Sequence, residues 1–385
     1  METAAAPRVQ ALADAGLPRL PAQYIQPPDL RAGPSPCPSA SLSVPVVDLS
    51  ATAAATTTDT VGRACADWGA FHVVNHGVPP GLLDAMRAAG LAFFRAPMAE
   101  KLRFGCDPAR GAAAEGYGSR MLANDDSVLD WRDYFDHHTL PESRRDPARW
   151  PDFVPGYRDT VVKYSDSMKV LAQRLLCIIS ESLNLPPSYL QEAVGEAYQN
   201  ITISYYSPCP QPDLALGLQS HSDFGAITLL IQDDVGGLEV FKDGMWIPVH
   251  PVPDAILVIL SDQTEIGKVF EQIVNCKLQL RISSCIVARW FLHILLIFST
   301  LIQIITNGRY KSAVHRAIVN ADRARLSVAA FYDPPKSQKI STAPQLVSKD
   351  HPQKYRDVVY GDYVSSWYSK GPEGKRNIDA LLIEQ

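Results

Sequence analysis

The pattern of apolar and polar positions changes character near the middle of the chain. Between Arg158 and Leu183 the positions Val161, Val162, Tyr164, Met168, Leu171, Leu175 and Ile178 follow the three- and four-residue spacing of a helix with one buried stripe. Pro80 to Phe94 repeats the pattern, with Leu82, Leu83, Met86 and Ala89 on one face. Pro80 suits a first helical turn, where its missing amide hydrogen leaves nothing unpaired. Upstream, Val44–Leu49 reads as a short strand followed by a helix to about Ala66, and Gly69–Val78 as a buried strand closed by a glycine turn. His76 in that turn reads as a side chain that fixes it by hydrogen bonds. From Ala197 onward the period drops. Gln199–Tyr206, Ala226–Gln232, Leu238–Lys242, Trp246–Val249 and Ala255–Leu260 are short runs separated by Pro, Gly and Asp, as in a sandwich or barrel. The reading is α+β with a mainly β core behind a helical region. The first 43 residues, rich in Ala and Pro, read as a low-order arm with at most a short helix before Leu17-Pro18.

Composition narrows the class. A chain of 385 residues can bury a large core. Its net charge of −5, with no basic cluster, argues against a nucleic-acid partner. The seven cysteines (Cys37, Cys65, Cys106, Cys177, Cys209, Cys276 and Cys285) show no CxxC pair and no regular framework, so they read as reduced thiols of an intracellular protein. No basic segment leads into an apolar one at the N-terminus, and the expected compartment is the cytoplasm.

The chemistry is concentrated in the strand-rich half. His221-Ser222-Asp223, a distant His315, and Arg325-Leu326-Ser327 ten residues beyond it occur in order. Two imidazoles and one carboxylate are the ligand set that holds non-haem Fe(II) on one face and leaves positions open. On a strand, residues two apart project from the same face, so His221 and Asp223 can reach one metal while Ser222 points away. Arg325, on a strand facing the same cavity, offers a planar fork suited to a carboxylate, with the Ser327 hydroxyl beside it.

The words around these residues are Ser204-Tyr205-Tyr206-Ser207-Pro208-Cys209-Pro210, Leu216 to Asp223, Gly236-Gly237-Leu238-Glu239-Val240, and Asn307-Gly308-Arg309-Tyr310-Lys311-Ser312-Ala313-Val314-His315-Arg316. Together they resemble the plant 2-oxoglutarate- and Fe(II)-dependent dioxygenases, the family of flavanone 3-hydroxylase, flavonol synthase and anthocyanidin synthase. The resemblance runs from about Val44 to about Lys375. It implies a double-stranded β-helix (jelly roll), with residues 44–196 packed against a catalytic region at 197–375, flanked by the arm at 1–43 and a tail at 376–385. It also implies Fe(II), 2-oxoglutarate, O2 and ascorbate, with His221, Asp223 and His315 on the metal and Arg325, Ser327 and Tyr206 on 2-oxoglutarate. The family usually has Asn where this chain has Ser204. Relatives place substrate with a Trp-X-X-Tyr-Phe segment and with residues after the Arg-X-Ser strand, which here are Tyr134, Phe331 and Asp333. A small phenolic fits such a wall. Hydroxylation of a flavanone at C3, with release of succinate and CO2, is the leading expectation, and another phenolic or a hormone is the alternative. The enzyme is expected to be a monomer with no membrane partner.

One feature breaks the family pattern. Ser261-Asp262-Gln263 is severed from Asn307-Gly308-Arg309 by an insert, Gly267 to Ile304, with no Pro, no Asp and an apolar stretch Trp290 to Phe298. A membrane span is disfavoured, since Trp290 to Ile305 is 16 residues and contains His293 and Gln303, short of the roughly 20 required. A functional insertion and a translated intron remain, the latter favoured because a long apolar unpatterned loop is foreign to a compact barrel. An intron product that is catalytically inert stays open beside the enzyme reading. The flanking segments Ala255–Ile266 and Arg309–Val319 should still pair into the barrel, and the insert should be expelled as a loop or loose helix outside the core.

Overall fold

In the computed structural model of the chain, residues 7–32, 42–50, 54–106, 115–119, 128–223, 225–260, 301–370 and 381–383 are described. Nine-residue strands β5 (Tyr198–Tyr206) and β12 (Arg325–Asp333) run antiparallel along their whole length, from Arg325 opposite Tyr206 to Asp333 opposite Tyr198. Around them the larger sheet takes the order β1-β2-β10-β7-β12-β5-β4-β3. Its other strands are β1 (Val46–Asp48), β2 (Ala70–Val74), β3 (Gly116–Gly118), β4 (Asp133–Leu140), β7 (Ile227–Gln232) and β10 (Ile256–Leu260). A second sheet has the order β6-β11-β8-β9, from Leu218–His221 (β6), Leu238–Lys242 (β8), Met245–Pro248 (β9) and His315–Ala317 (β11).

Alternation along β12 sorts its side chains into two environments. Leu326, Val328, Ala330 and Tyr332 join the main core, where α3 (Pro80–Arg95) and α5 (Tyr157–Ser182) cover the sheet with Leu83, Met86, Phe93, Val161, Tyr164, Met168 and Leu175. Arg325, Ser327, Ala329, Phe331 and Asp333 take the other face. On that side Leu230, Leu257 and Ile259 of the larger sheet pack against Leu238 and Val240 of the smaller one. Two facing antiparallel sheets with helices behind one of them make the expected jelly roll. The expected turn histidine also holds: His76 Nε2 lies 2.9 Å from the Asp254 carbonyl, and its Nδ1 accepts the Val78 amide at 3.1 Å. Among the described residues no helix is long and apolar enough to cross a membrane.

Two sequence expectations need correction. The arm is not loose over residues 7–32. It carries the short helix expected before Leu17-Pro18, α1 (Val9–Asp14), but it also buries Val9, Leu20 and Tyr24 and donates the amides of Val9 and Gln10 to the Asp133 carboxylate at 2.9 and 3.0 Å. A buried carboxylate in need of donors recruits a segment whose composition alone reads as disordered.

The insert's C-terminal end is not expelled. The helix Leu301–Ile305 (here α7, since α4 is Met98–Leu102 and α6 is Tyr189–Val194) places Ile302 and Ile304 at 1% and 0% exposure in the main core. Gln303 Nε2 donates to the Tyr355 hydroxyl at 2.7 Å, and the Ile305 carbonyl accepts from Ala343 N at 2.9 Å. The rest of the insert, with its Trp290–Phe298 stretch, lies outside the described residues.

The two segments flanking the insert do pair into the barrel, as expected, but in different sheets. β10 lies between β2 and β7, whereas β11 lies between β6 and β8 in the other sheet. Among the described residues they are joined where Ala313 N donates to the Leu260 carbonyl at 3.3 Å. Gly69 makes this crossing possible: at φ +67° it sits where a Cβ would lie 2.6 Å from the Lys311 carbonyl oxygen and 2.7 Å from the Ser312 carbonyl carbon. Chain 311–313 can therefore pass against the start of β2 and deliver His315.

Candidate active site

His221 and His315 are directly opposite each other on β6 and β11, with ring centroids 4.3 Å apart. Each Nδ1 faces the carbonyl of the residue two before it: Gln219 for His221 at 2.8 Å, and Ala313 for His315 at 3.0 Å. A nitrogen bonded to a carbonyl carries a proton, so each ring turns its Nε2, the atom left to bind a metal, the other way. Both Nε2 atoms point to Asp223 Oδ1, at 3.6 and 3.8 Å. Donor atoms of the three residues lie within 4.8 Å of one another. Burial would raise the Asp223 carboxyl, but His315, His221 and the Thr228 hydroxyl, which donates to Oδ2 at 2.6 Å, outweigh it and hold it at about 2. A carboxylate between two imidazole Nε2 atoms is a donor set that fits a divalent cation. One detail departs from the strand argument: His221 is the last residue of β6, and Asp223 lies in the turn beyond it. The turn, with the Thr228 bond, brings the carboxylate back toward both rings.

Arg325 opens β12, across from Tyr206. It therefore sits in the larger sheet and faces the histidine strand rather than lying beside it. Its guanidinium stands 4.8 Å from the Tyr206 ring centre and donates from Nη2 to Gln232 Oε1 at 3.2 Å. Nε and Nη1 are buried without a hydrogen-bond partner among the described residues. A buried guanidinium with two idle donor nitrogens is costly unless an anion completes it. The Tyr206 hydroxyl is driven up by burial but more strongly down by Arg325, Arg132 and hydrogen bonds with Ser327 and Ser204, so its proton is held less tightly than usual. Arg132 Nη1 donates to Ser204 Oγ at 3.1 Å, which gives the substituted Ser a partner.

Tyr134 is buried on β4 opposite Ser204, and Phe331 is half-buried on β12 opposite Asn200. Asp333 closes the same face. Burial and the nearby Asp223 push its carboxyl up to about 8, and its Oδ1 has no hydrogen-bond partner among the described residues. Tyr134, Tyr206, Arg325, Ser327, Phe331 and Asp333 thus share one sheet face. Sequence reasoning missed Thr228, Gln232 and Arg132. A polar Thr within the apolar run Ala226–Ile231 was a usable signal for the first. Gln232 and Arg132 are visible only through their cross-strand neighbours.

Residues 44–155 match the N-terminal region of the non-haem dioxygenases in morphine synthesis, and residues 197–284 and 287–334 match the 2OG-Fe(II) oxygenase superfamily. Jasmonate-induced oxygenase 2 of Arabidopsis thaliana is 35% identical over 97% of this chain and 92% of its own length. Flavanone 3-dioxygenase 2 of Oryza sativa subsp. japonica is 33% identical, covering 91% of each. A crystal structure of JOX2 in complex with 2OG, Fe and JA superposes with a TM-score of 0.81 at 34% identity, covering 98% of both chains. With paired imidazoles and a carboxylate at its centre and relatives matched over nearly its whole length, the chain belongs to the 2OG-Fe(II) oxygenase superfamily and is an Fe(II)- and 2-oxoglutarate-dependent dioxygenase.

Proposed function

We propose that the chain oxygenates a small, flat plant phenolic, with a flavanone hydroxylated at C3 to the dihydroflavonol as the leading case, and releases succinate and CO2. The observation that carries this reading is the wall formed by Tyr134, Phe331 and Asp333: two aromatic rings and a carboxyl that burial keeps protonated at neutral pH. Rings stack on a flat substrate, and a neutral carboxyl can exchange hydrogen bonds with a hydroxyl. In this assignment His221, Asp223 and His315 hold the iron. Arg325 and Ser327 take the distal carboxylate of 2-oxoglutarate, with Tyr206 donating beside them. Bound iron supplies the activation of O2 that 2-oxoglutarate decarboxylation drives; the protein orients substrate and excludes water. The convergence of the three metal donors in the full chain supports a working enzyme over an inert intron product.

A second reading, oxidation of a jasmonate-type acid, is favoured by the likeness to the JOX2 complex with JA. The test is succinate release by the purified chain with Fe(II), 2-oxoglutarate and ascorbate, against naringenin, other phenolics and jasmonic acid. Release driven by naringenin, and lost in His315→Ala, is the expected result. Release driven by jasmonic acid alone would replace the phenolic reading with the second one.

A further inference from the structure

On the face of the larger sheet that carries the site, three buried polar atoms cluster at the end away from Arg325 with no hydrogen-bond partner among the described residues. His138 of β4 lies directly opposite Asn200 of β5, and Asn200 lies opposite Phe331 of β12. His138 Nε2, Asn200 Oδ1 and Asp333 Oδ1 are all buried and without hydrogen-bond partners among the described residues. Folded proteins pair the great majority of such atoms. Three orphans at neighbouring positions of one face therefore mark the place of something that binds there.

The position is next to the metal ligands. Thr228, which holds Asp223, is the cross-strand partner of Phe331 on the other side of β12. A Cβ on Gly225 would lie 1.6 Å from Asp333 Oδ1, so the Asp333 carboxyl reaches the turn that carries Asp223 and occupies room that only a glycine leaves.

We propose that His138 and Asn200 form, with Asp333, a polar subsite that receives an uncharged hydroxyl of the substrate. This rests on the phenolic reading above and adds His138 and Asn200 to the residues that select the substrate. The nearest groups agree with an uncharged ligand. Asp136 Oδ2 is 3.7 Å from His138 Nε2, too far for a hydrogen bond, and Asp136 Oδ1 is already engaged by the Thr202 hydroxyl at 2.7 Å. Burial, with Arg144 and Arg149 nearby, holds His138 neutral, its proton affinity lowered to about 4. His138 therefore brings no cation to face a carboxylate, while its lone nitrogen and the Asn200 oxygen suit a hydroxyl donor.

The test uses the full chain and two substitutions that remove the polar atoms while keeping most of the volume, His138→Phe and Asn200→Leu. Two quantities are measured: the melting temperature without substrate, and equilibrium binding of 5,7-dihydroxyflavanone and of unsubstituted flavanone by titration calorimetry, with Fe(II) and 2-oxoglutarate present and oxygen excluded. The unsubstituted chain should bind the dihydroxylated compound about tenfold tighter, as one satisfied buried hydrogen bond provides. Each variant should erase most of that preference and melt at the same temperature or higher, since an orphaned polar atom has been replaced by an apolar group. A preference that survives in both variants would overturn the subsite. So would a lower melting temperature in both, which would make the two side chains structural. Stabilised variants together with no binding of either flavanone by the unsubstituted chain would instead overturn the phenolic reading and leave the assignment of a ligand-binding role standing.

Discussion

At the scale of single residues, the proposed site rests on polar side chains that are fixed on one side by the protein. The backbone carbonyls of Gln219 and Ala313 set the histidine tautomers, and Gln232 fixes one edge of Arg325 while Nε and Nη1 remain for an anion. Arg325→Lys keeps the charge but loses the fork. The KM for 2-oxoglutarate should then rise by roughly 10- to 100-fold, the equivalent of about 1.5–3 kcal/mol, with a smaller change for the organic substrate. An unmoved KM for 2-oxoglutarate would assign its anchor elsewhere. Asp136 carries a pH prediction. Burial pushes its carboxyl up to about 7, only partly offset by the Thr202 hydroxyl. The native chain thus keeps the proton that the unfolded chain releases near pH 4. The resulting stability is full below that value and is lost as pH climbs toward 7. Asp136→Asn should lack this decline, so the ratio of urea midpoints, variant over parent, should be larger at pH 8 than at pH 5.

At the scale of elements, α7 decides what can be removed from the insert. Ile302 and Ile304 are core residues, and the Asn307-Gly308 pair that ends the turn after them has positive φ at both positions, 54° and 76°. Deleting 267–304 would strip two buried isoleucines, and losses of about 2–5 kcal/mol each are typical of such truncations. Deleting 267–300 keeps the helix and removes the apolar Trp290–Phe298 stretch, an aggregation liability if exposed. The shorter deletion should raise soluble yield and melt no lower than the full chain, and the longer one should melt lower. If both deletions melted alike, α7 would contribute nothing to stability.

At the scale of the whole molecule, the arm packs against the end of the sheet proposed to take 2-oxoglutarate. Val9, Leu20 and Tyr24 share one small core with Trp131, Tyr206 and Ala317, and Tyr24 meets Trp131 edge-on at 5.0 Å. Removing residues 1–32 strips Asp133 of two amide donors. The melting temperature should fall by several degrees, on the order of 2–3 kcal/mol for two hydrogen bonds to a buried charge, and the KM for 2-oxoglutarate should rise because Tyr206 loses part of its packing. A truncated chain with unchanged melting and KM would make the arm dispensable.

Much of this architecture was legible in the residues alone. The long period of α5, the alternation of β5 and β12, and the His221, Asp223, His315 and Arg325 constellation depend on local spacing, which a linear chain displays directly. Only the tertiary structure decided which sheet received each strand, that Asp133 would dock the arm, and that Ile302 and Ile304 belong to the core although they fall within an apolar insert. The same holds for the orphaned atoms of His138 and Asn200, which become neighbours only through the register of β4 against β5. Whether a polar atom is satisfied depends on what other strands bring within about 3 Å of it, and spacing along one chain carries no record of that.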